Sequence, residues 1–213
     1  VISQLTFAAS EQGESFSSDG VCEYPTPGYA NTADGYRSYL EGQSLPELIL
    51  SEVLSSNSAH LPFNGQYYDL VEVKNNSDAP LNLAEYTLTD KRKEPLRFTF
   101  PAVTLNPGEH YVIYCSGEPS LGSNHTSFKI SASGESIYLT KGGTFIDVLT
   151  VPADLGENES YGRYGKDLVY FQMPTMGFEN SPGFATGLAA PSSDLPSGIY
   201  GEPVSVTLAG SGT

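Results

Sequence analysis

The sequence predicts an all-β chain, a sandwich or barrel, on three observations. Its 213 residues include 22 glycines and 15 prolines, a supply of turn residues that suits many short strands. No run carries the 3.6-residue apolar period of a long amphipathic helix. The stretch Tyr67 to Asp90, YYDLVEVKNNSDAPLNLAEYTLTD, alternates with the two-residue period of a half-buried sheet. Tyr68, Leu70 and Glu72 share one face and Tyr67, Asp69, Val71 and Val73 the other, before a polar NNSDAP turn leads to Leu81, Leu83, Tyr86 and Leu88.

Residues 1–41 read as the closing part of a repeat. Ile2-Ser3-Gln4-Leu5-Thr6-Phe7 is similar to Ile146-Asp147-Val148-Leu149-Thr150-Val151, and Gly13-Glu14-Ser15-Phe16 to Asn158-Glu159-Ser160-Tyr161. Pro25-Thr26-Pro27-Gly28-Tyr29-Ala30-Asn31-Thr32 matches Pro174-Thr175-Met176-Gly177-Phe178-Glu179-Asn180-Ser181. The offset drifts from 144 (Ile2 to Ile146) to 149 (Pro25 to Pro174), as loop insertions would produce. Without the strands they would pair with, Ile2 to Phe7 and Glu14 to Phe16 are expected to pack on the complete domain, or to exchange strands with a neighbouring chain through residues 1–20.

After a linker at 42–46, a complete domain is expected over 47–187. Leu48 to Val53 is its first strand, and SSNSAHLPFNG is a loop by composition. The two strands of the opening paragraph follow. Asp90 to Pro95 is a polar hairpin tip that leads to Leu96 to Phe100. In Leu105-Asn106-Pro107-Gly108-Glu109, proline presets φ and glycine accepts the positive φ of a type II turn. Tyr111 to Cys115, apolar on both faces, is the candidate central strand, and Phe128 to Ile130 and Ser136 to Thr140 are further strand patterns. Lys141-Gly142-Gly143-Thr144 signals a hairpin, with Phe145 to Leu149 returning and Ser160 to Tyr164 as the last strand. Residues 188–198 resemble an extended linker, and 199–213 the first strand of a following module.

The formal charge of −15 and sequence pI of 4.3 oppose binding to phosphate backbones. The basic cluster Lys91-Arg92-Lys93, with Arg97, reads as a solvated hairpin tip. No run approaches the roughly 20 apolar residues of a membrane span, so no membrane insertion is expected. The chain opens on VISQLTF without the charged start and apolar core of a leader. Cys115 ends an apolar strand and is expected to be a small buried hydrophobe; pairing with Cys22 is the alternative.

Together ELILSEVL, YYDLVEVKNNSDAPLNLAEYTLTD, RFTFP, TLNPGEHYVIYC, ESIYLTKGGTFIDVLTV and ESYGR resemble the lamin tail domain, over about Glu47 to Asn180. The resemblance implies an immunoglobulin-like β-sandwich and, from the secreted bacterial members, an extracellular, cell-surface setting. Leu70 and Tyr86 stand where many members carry tryptophan. SGIYGEPVSVTL is similar to the opening of the chitobiase/hexosaminidase C-terminal module, so tandem units on a bacterial surface protein are implied.

No catalytic grouping is recognisable. The three histidines, His60, His110 and His125, fall in loops or beside a turn, and no G-x-S-x-G, HExxH or phosphate loop occurs. No enzyme, cofactor or nucleic-acid partner is expected. Asp154-Leu155-Gly156-Glu157-Asn158-Glu159 offers oxygen ligands for Ca²⁺ at a spacing that matches no established loop. Two functions remain: an adhesion module that recognises a cell-wall polysaccharide or another surface protein through Ser55 to Gly65 and Ser116 to Thr126, or a spacer without a ligand.

Overall fold

The structure, a computed structural model, describes residues 15–17, 20–22, 28–30, 44–182, 192–194 and 205–209. The expected placement of Ile2 to Phe7 lies outside the described residues, as do most of residues 188–198 and 199–213.

The strands are β1 (Ser15–Ser17), β2 (Gly20–Cys22), β3 (Leu48–Leu54), β4 (Asp69–Asn75), β5 (Leu81–Asn82), β6 (Tyr86–Thr89), β7 (Phe98–Thr99) and β8 (Thr104–Leu105). They continue as β9 (His110–Cys115), β10 (Glu135–Lys141), β11 (Thr144–Val151), β12 (Ser160–Tyr164), β13 (Asp167–Phe171), β14 (Ser192–Ser193) and β15 (Leu208–Ala209). Two antiparallel sheets form the sandwich. One has the order β13-β12-β3-β4-β9 and the other β11-β10-β6-β7. Three two-stranded pairs, β5-β8, β1-β2 and β14-β15, accompany them. This is the immunoglobulin-like architecture that the sequence predicts.

The core lies between the sheets, where Leu50, Val53, Val71, Val73 and Ile113 meet Tyr86, Leu88, Ile137, Leu139 and Leu149, all at most 0% exposed. Burial on this scale is the main stabilising term of the fold, at about 25 cal/mol per Å² of apolar surface. A register shift between Leu50 and Glu52 leaves Ser51 unpaired against β4. That bulge changes the parity of β3, so Leu50 and Val53 both reach the core while Glu52 and Leu54 face outward. One residue thus decides which side chains meet the outside of the sheet.

Several local expectations hold. Glu109 N donates to Asn106 O at 3.0 Å and Gly108 has φ +77°, as the Pro-Gly turn requires. Gly142 and Gly143 both have positive φ, +58° and +80°, and close the β10–β11 hairpin with Lys141 opposite Thr144. Leu70 and Tyr86 are fully buried, as the resemblance implied for tryptophan positions, and Cys115 is a free, buried thiol.

Three expectations need correction. The run after NNSDAP is not one strand: Leu81–Asn82 pairs with β8, Leu83–Glu85 forms a 3-10 turn, and Tyr86–Thr89 joins the four-stranded sheet away from β4, so the turn begins a crossover. Asn75 holds its start by donating to Ala79 O and Leu105 O, both at 2.8 Å. Tyr111 to Cys115 is an edge strand, hydrogen-bonded to β4 alone among the strands; β3 and β4 are the central ones. Its second apolar face is covered by loops rather than flanked by a further strand, and periodicity cannot separate those cases. Phe128 to Ile130 is not a strand. Phe128 and Ile130 are buried, but the segment is held by a side chain, with Ile130 N donating to Asp69 Oδ2 at 3.0 Å. Burial raises the Asp69 pKa to about 6, against the pull of that hydrogen bond.

Candidate functional site

The two loops singled out in the sequence meet at one end of the sandwich. The first, between β3 and β4, is folded on Asn57: its amide donates to His60 O and Tyr68 O at 2.8 Å, and its oxygen accepts from His60 N at 2.9 Å. The second is fixed to β9, where Tyr114 N donates to Asn124 O and Thr126 N to Tyr114 O, both at 2.9 Å. A third loop joins them, because Asn158 Oδ1 accepts from Ser58 N at 2.8 Å.

This bracing packs four rings together. His125 stacks on Tyr114 with centroids 4.8 Å apart and planes 10° from parallel. Phe63 and Tyr68 meet His125 edge-on at 4.6 and 5.8 Å. His125 is 1% exposed, and burial lowers its pKa, so a neutral imidazole is held at pH 7. Its Nδ1 lies 3.1 Å from Ser116 Oγ, and its buried Nε2 has no hydrogen-bond partner. Leu61 and Tyr67, 41% and 43% exposed, are the exposed large apolar side chains of the same loop. Leu61 and Asn64 have φ +43° and +51°, a left-handed backbone that costs free energy in non-glycine residues. An exposed tyrosine on a loop braced in this way can accept the flat face of a sugar ring or an apolar side chain.

A second feature had no place in the sequence reading. Past β13 the chain crosses the outer face of the five-stranded sheet as a strap, Pro174 to Asn180. Beneath it Glu52 and Glu72, register partners on β3 and β4, are both 0% exposed. Glu52 accepts from Ser160 Oγ, from Thr175 N at 3.0 Å and from Thr175 Oγ1 at 2.8 Å. Glu72 accepts from Gly177 N at 2.5 Å and sits 2.7 Å from His110 Nδ1. Asn180 Nδ2 donates to Ser51 O at 3.1 Å and Arg163 O at 2.8 Å. Met176 fills the space over Leu54 and Leu70.

Burial and the neighbouring charges together set the ionisation of this strap site. Desolvation raises the Glu52 pKa despite its donors, with the neighbouring Glu72 charge adding to the rise. Burial opposes a charged His110, but the hydrogen bond and charge of Glu72 outweigh it and raise the pKa. Glu179 is lowered by Lys74, whose Nζ is 2.5 Å away. The arrangement ties the strap to the outer face of the sheet. An acidic residue inside an apolar strand, in ILSEVL and again in DLVEVK, is the signal that could have revealed it.

The other candidates disperse. Asp154 accepts from Tyr170 OH at 2.8 Å and Glu159 from Gly156 N at 3.1 Å. Among the described residues no group of three or more His, Cys, Asp or Glu side chains could hold a metal ion. Arg97 pairs with Asp90 and lies 5.1 Å over the Phe128 ring, and Lys91 is 3.6 Å from Glu94. The basic tip is thus partly neutralised. No helix among the described residues is long and apolar enough to cross a membrane.

Compared with known families, residues 42–153 match the Lamin Tail Domain. No curated protein matches the chain, and no solved structure does. The match spans β3 to β11; the β12–β13 hairpin and the strap complete the same sandwich.

Proposed function

The chain belongs to the lamin tail domain family, and from that premise we propose that it is a non-enzymatic binding module displayed on the outside of a bacterial cell, which holds a cell-wall polysaccharide at its loop end. The observation that supports this reading is the ring cluster of Phe63, Tyr68, Tyr114 and His125, which braces a loop that exposes Tyr67 and Leu61. Sugar rings present apolar faces that stack on tyrosine, and rigid loops lose little conformational entropy on binding. The charge of −15 suits an uncharged polymer better than an anionic one.

The test is retention of the full chain on insoluble peptidoglycan, chitin and cellulose, with an acidic albumin as control. Saturable retention on one of them, weakened at least about tenfold by Tyr67→Ser, is the expected result; a tenfold change corresponds to about 1.4 kcal/mol. Passage through all three would overturn the polysaccharide reading and favour a spacer. The strap bonds to Glu52 and Glu72 support that second role, since they tie the end of the domain to its central strands.

A further inference from the structure

In the complete domain the last hairpin and the strap form one closing segment, Ser160 to Asn180. We propose that Ser15 to Asn31 is the closing segment of a second lamin tail unit, and that its docking partner is the outer sheet face of such a unit, bearing two acidic side chains side by side on adjacent strands.

The hairpins carry the first part. β1 and β2 pair as Ser15↔Cys22, Phe16↔Val21 and Ser17↔Gly20, across a two-residue connection. β12 and β13 pair from Ser160↔Phe171 to Tyr164↔Asp167, again across two residues. Placing Ser15 on Ser160 gives an offset of 145, and placing Cys22 on Phe171 gives 149. The four residues between those offsets are two cross-strand pairs, Arg163↔Leu168 and Tyr164↔Asp167, that the shorter hairpin lacks. Most of the drift along the sequence is therefore a ladder shortened by two rungs. At the same offset of 149, Gly28 (φ +83°) falls on Gly177 (φ +90°). The next residue is an exposed aromatic in both, Tyr29 at 43% and Phe178 at 75%.

The sequence carries the second part. Thr26 and Asn31, outside the described residues, stand in sequence where Thr175 and Asn180 stand, so the donor types that reach Glu52 and Ser51 are retained, while the acceptor Arg163 O goes with the two missing rungs. Met176 and Glu179, which the grip on the acid pair does not use, are replaced by Pro27 and Ala30. A buried ion pair is also lost as a pair. Arg163 Nη2 lies 2.6 Å from Asp147 Oδ1 with both side chains 7% exposed. Arg163 belongs to the missing rungs, and at the offset of 144 the counterpart of Asp147 is Ser3. Losing both partners together is consistent with a related segment, because a lone buried charge is strongly destabilising.

One contact narrows the partner. A Cβ on Gly162 would lie 2.2 Å from Ser51 O, and the counterpart of Gly162 is Ser17. The segment therefore does not fit this domain's own sheet or a second copy of it. It fits a lamin tail sheet whose first strand leaves room for a hydroxymethyl group.

The test exchanges residues 160–180 for 15–31 in the full chain, with Ser17→Gly and Asp147→Ser. The hybrid is expected to unfold cooperatively on heating, and Thr26→Val to lower its Tm as much as Thr175→Val lowers that of the parent. Asp147→Ser should lower the parent's Tm, yet the hybrid that keeps Asp147 should melt below the one that carries Asp147→Ser. A parent lacking Arg163, Tyr164, Asp167 and Leu168, with Asp147→Ser, tests the shortened hairpin alone. The proposal is overturned if this control is unfolded, if the control folds and the hybrid does not, or if the hybrid is indifferent to Thr26→Val.

Discussion

Thr175→Val tests the strap directly, because valine keeps the volume and removes only the hydroxyl. Oγ1 donates to Glu52 Oε2 at 2.8 Å, and Glu52 is 0% exposed, so no solvent can replace the lost donor. A hydrogen bond to a buried charged group contributes about 1.5–3 kcal/mol. The expected cost at pH 8, where Glu52 is most ionised, is thus about 2 kcal/mol. The Glu52 pKa is already raised by burial, and losing a donor to the carboxylate raises it further. A carboxyl whose folded pKa is raised contributes stability that is fully present below its unfolded pKa and lost as pH rises through the folded one. The variant's extra penalty must therefore shrink on acidification, towards the roughly 1 kcal/mol of a neutral hydrogen bond. Urea unfolding at pH 8 and pH 5, read by circular dichroism, measures both values, with the slope m expected unchanged because the strap still docks through Gly177 and Asn180. A cost below about 0.5 kcal/mol at pH 8, under half of the typical net hydrogen bond, or a larger cost at pH 5 than at pH 8, would refute the reasoning.

Other perturbations probe other joints. Gly162→Ala puts a Cβ 2.2 Å from Ser51 O and 2.8 Å from Glu52 Cα, so β12 must move off β3; a loss on the order of 3 kcal/mol is expected in thermal melts. Arg163→Met leaves Asp147 buried without its cation and should cost about 3–5 kcal/mol, most of it recovered by Asp147→Asn in the same chain. Asp69 has its pKa raised to about 6, so its contribution to stability is lost as pH rises from about 4 to 6. Asp69→Asn should flatten that part of the urea midpoint against pH, and an unchanged profile would show that the carboxyl titrates normally.

Legibility in the sequence followed the physics of each element. Pro107-Gly108 and Gly142-Gly143 were readable because backbone sterics restrict positive φ to few residues, whatever surrounds them. The β3 and β4 runs were readable by burial and alternation. The central position assigned to Tyr111 to Cys115 failed because an apolar outer face records what covers a strand, and the cover here comes from the following loop through His125 and from Met176 of the strap. β13 escaped notice although Leu168-Val169-Tyr170-Phe171 is an apolar run after Gly165-Lys166. The loops at 55–65 and 116–126 were marked by composition, but their ring cluster depends on Tyr114 and His125 meeting across a non-sequential contact. Glu52 and Glu72 gave a signal of misplaced charge without naming the donors, which lie 123 and 105 residues away.

The strap also bears on mechanics. The chain enters the domain at Glu47, whose carbonyl accepts from Asn76 N at 2.8 Å, and leaves near Asn180, whose amide rests on Ser51 O of the first strand. The first point precedes β3 and the second rests on its middle residue, while the ring-bearing loop at 55–65 follows its far end. Tension between flanking segments would peel Asn180 and then Thr175 from the sheet one bond at a time, leaving the sandwich core outside the line of force. The strap thus acts as a clasp that yields before the core it covers.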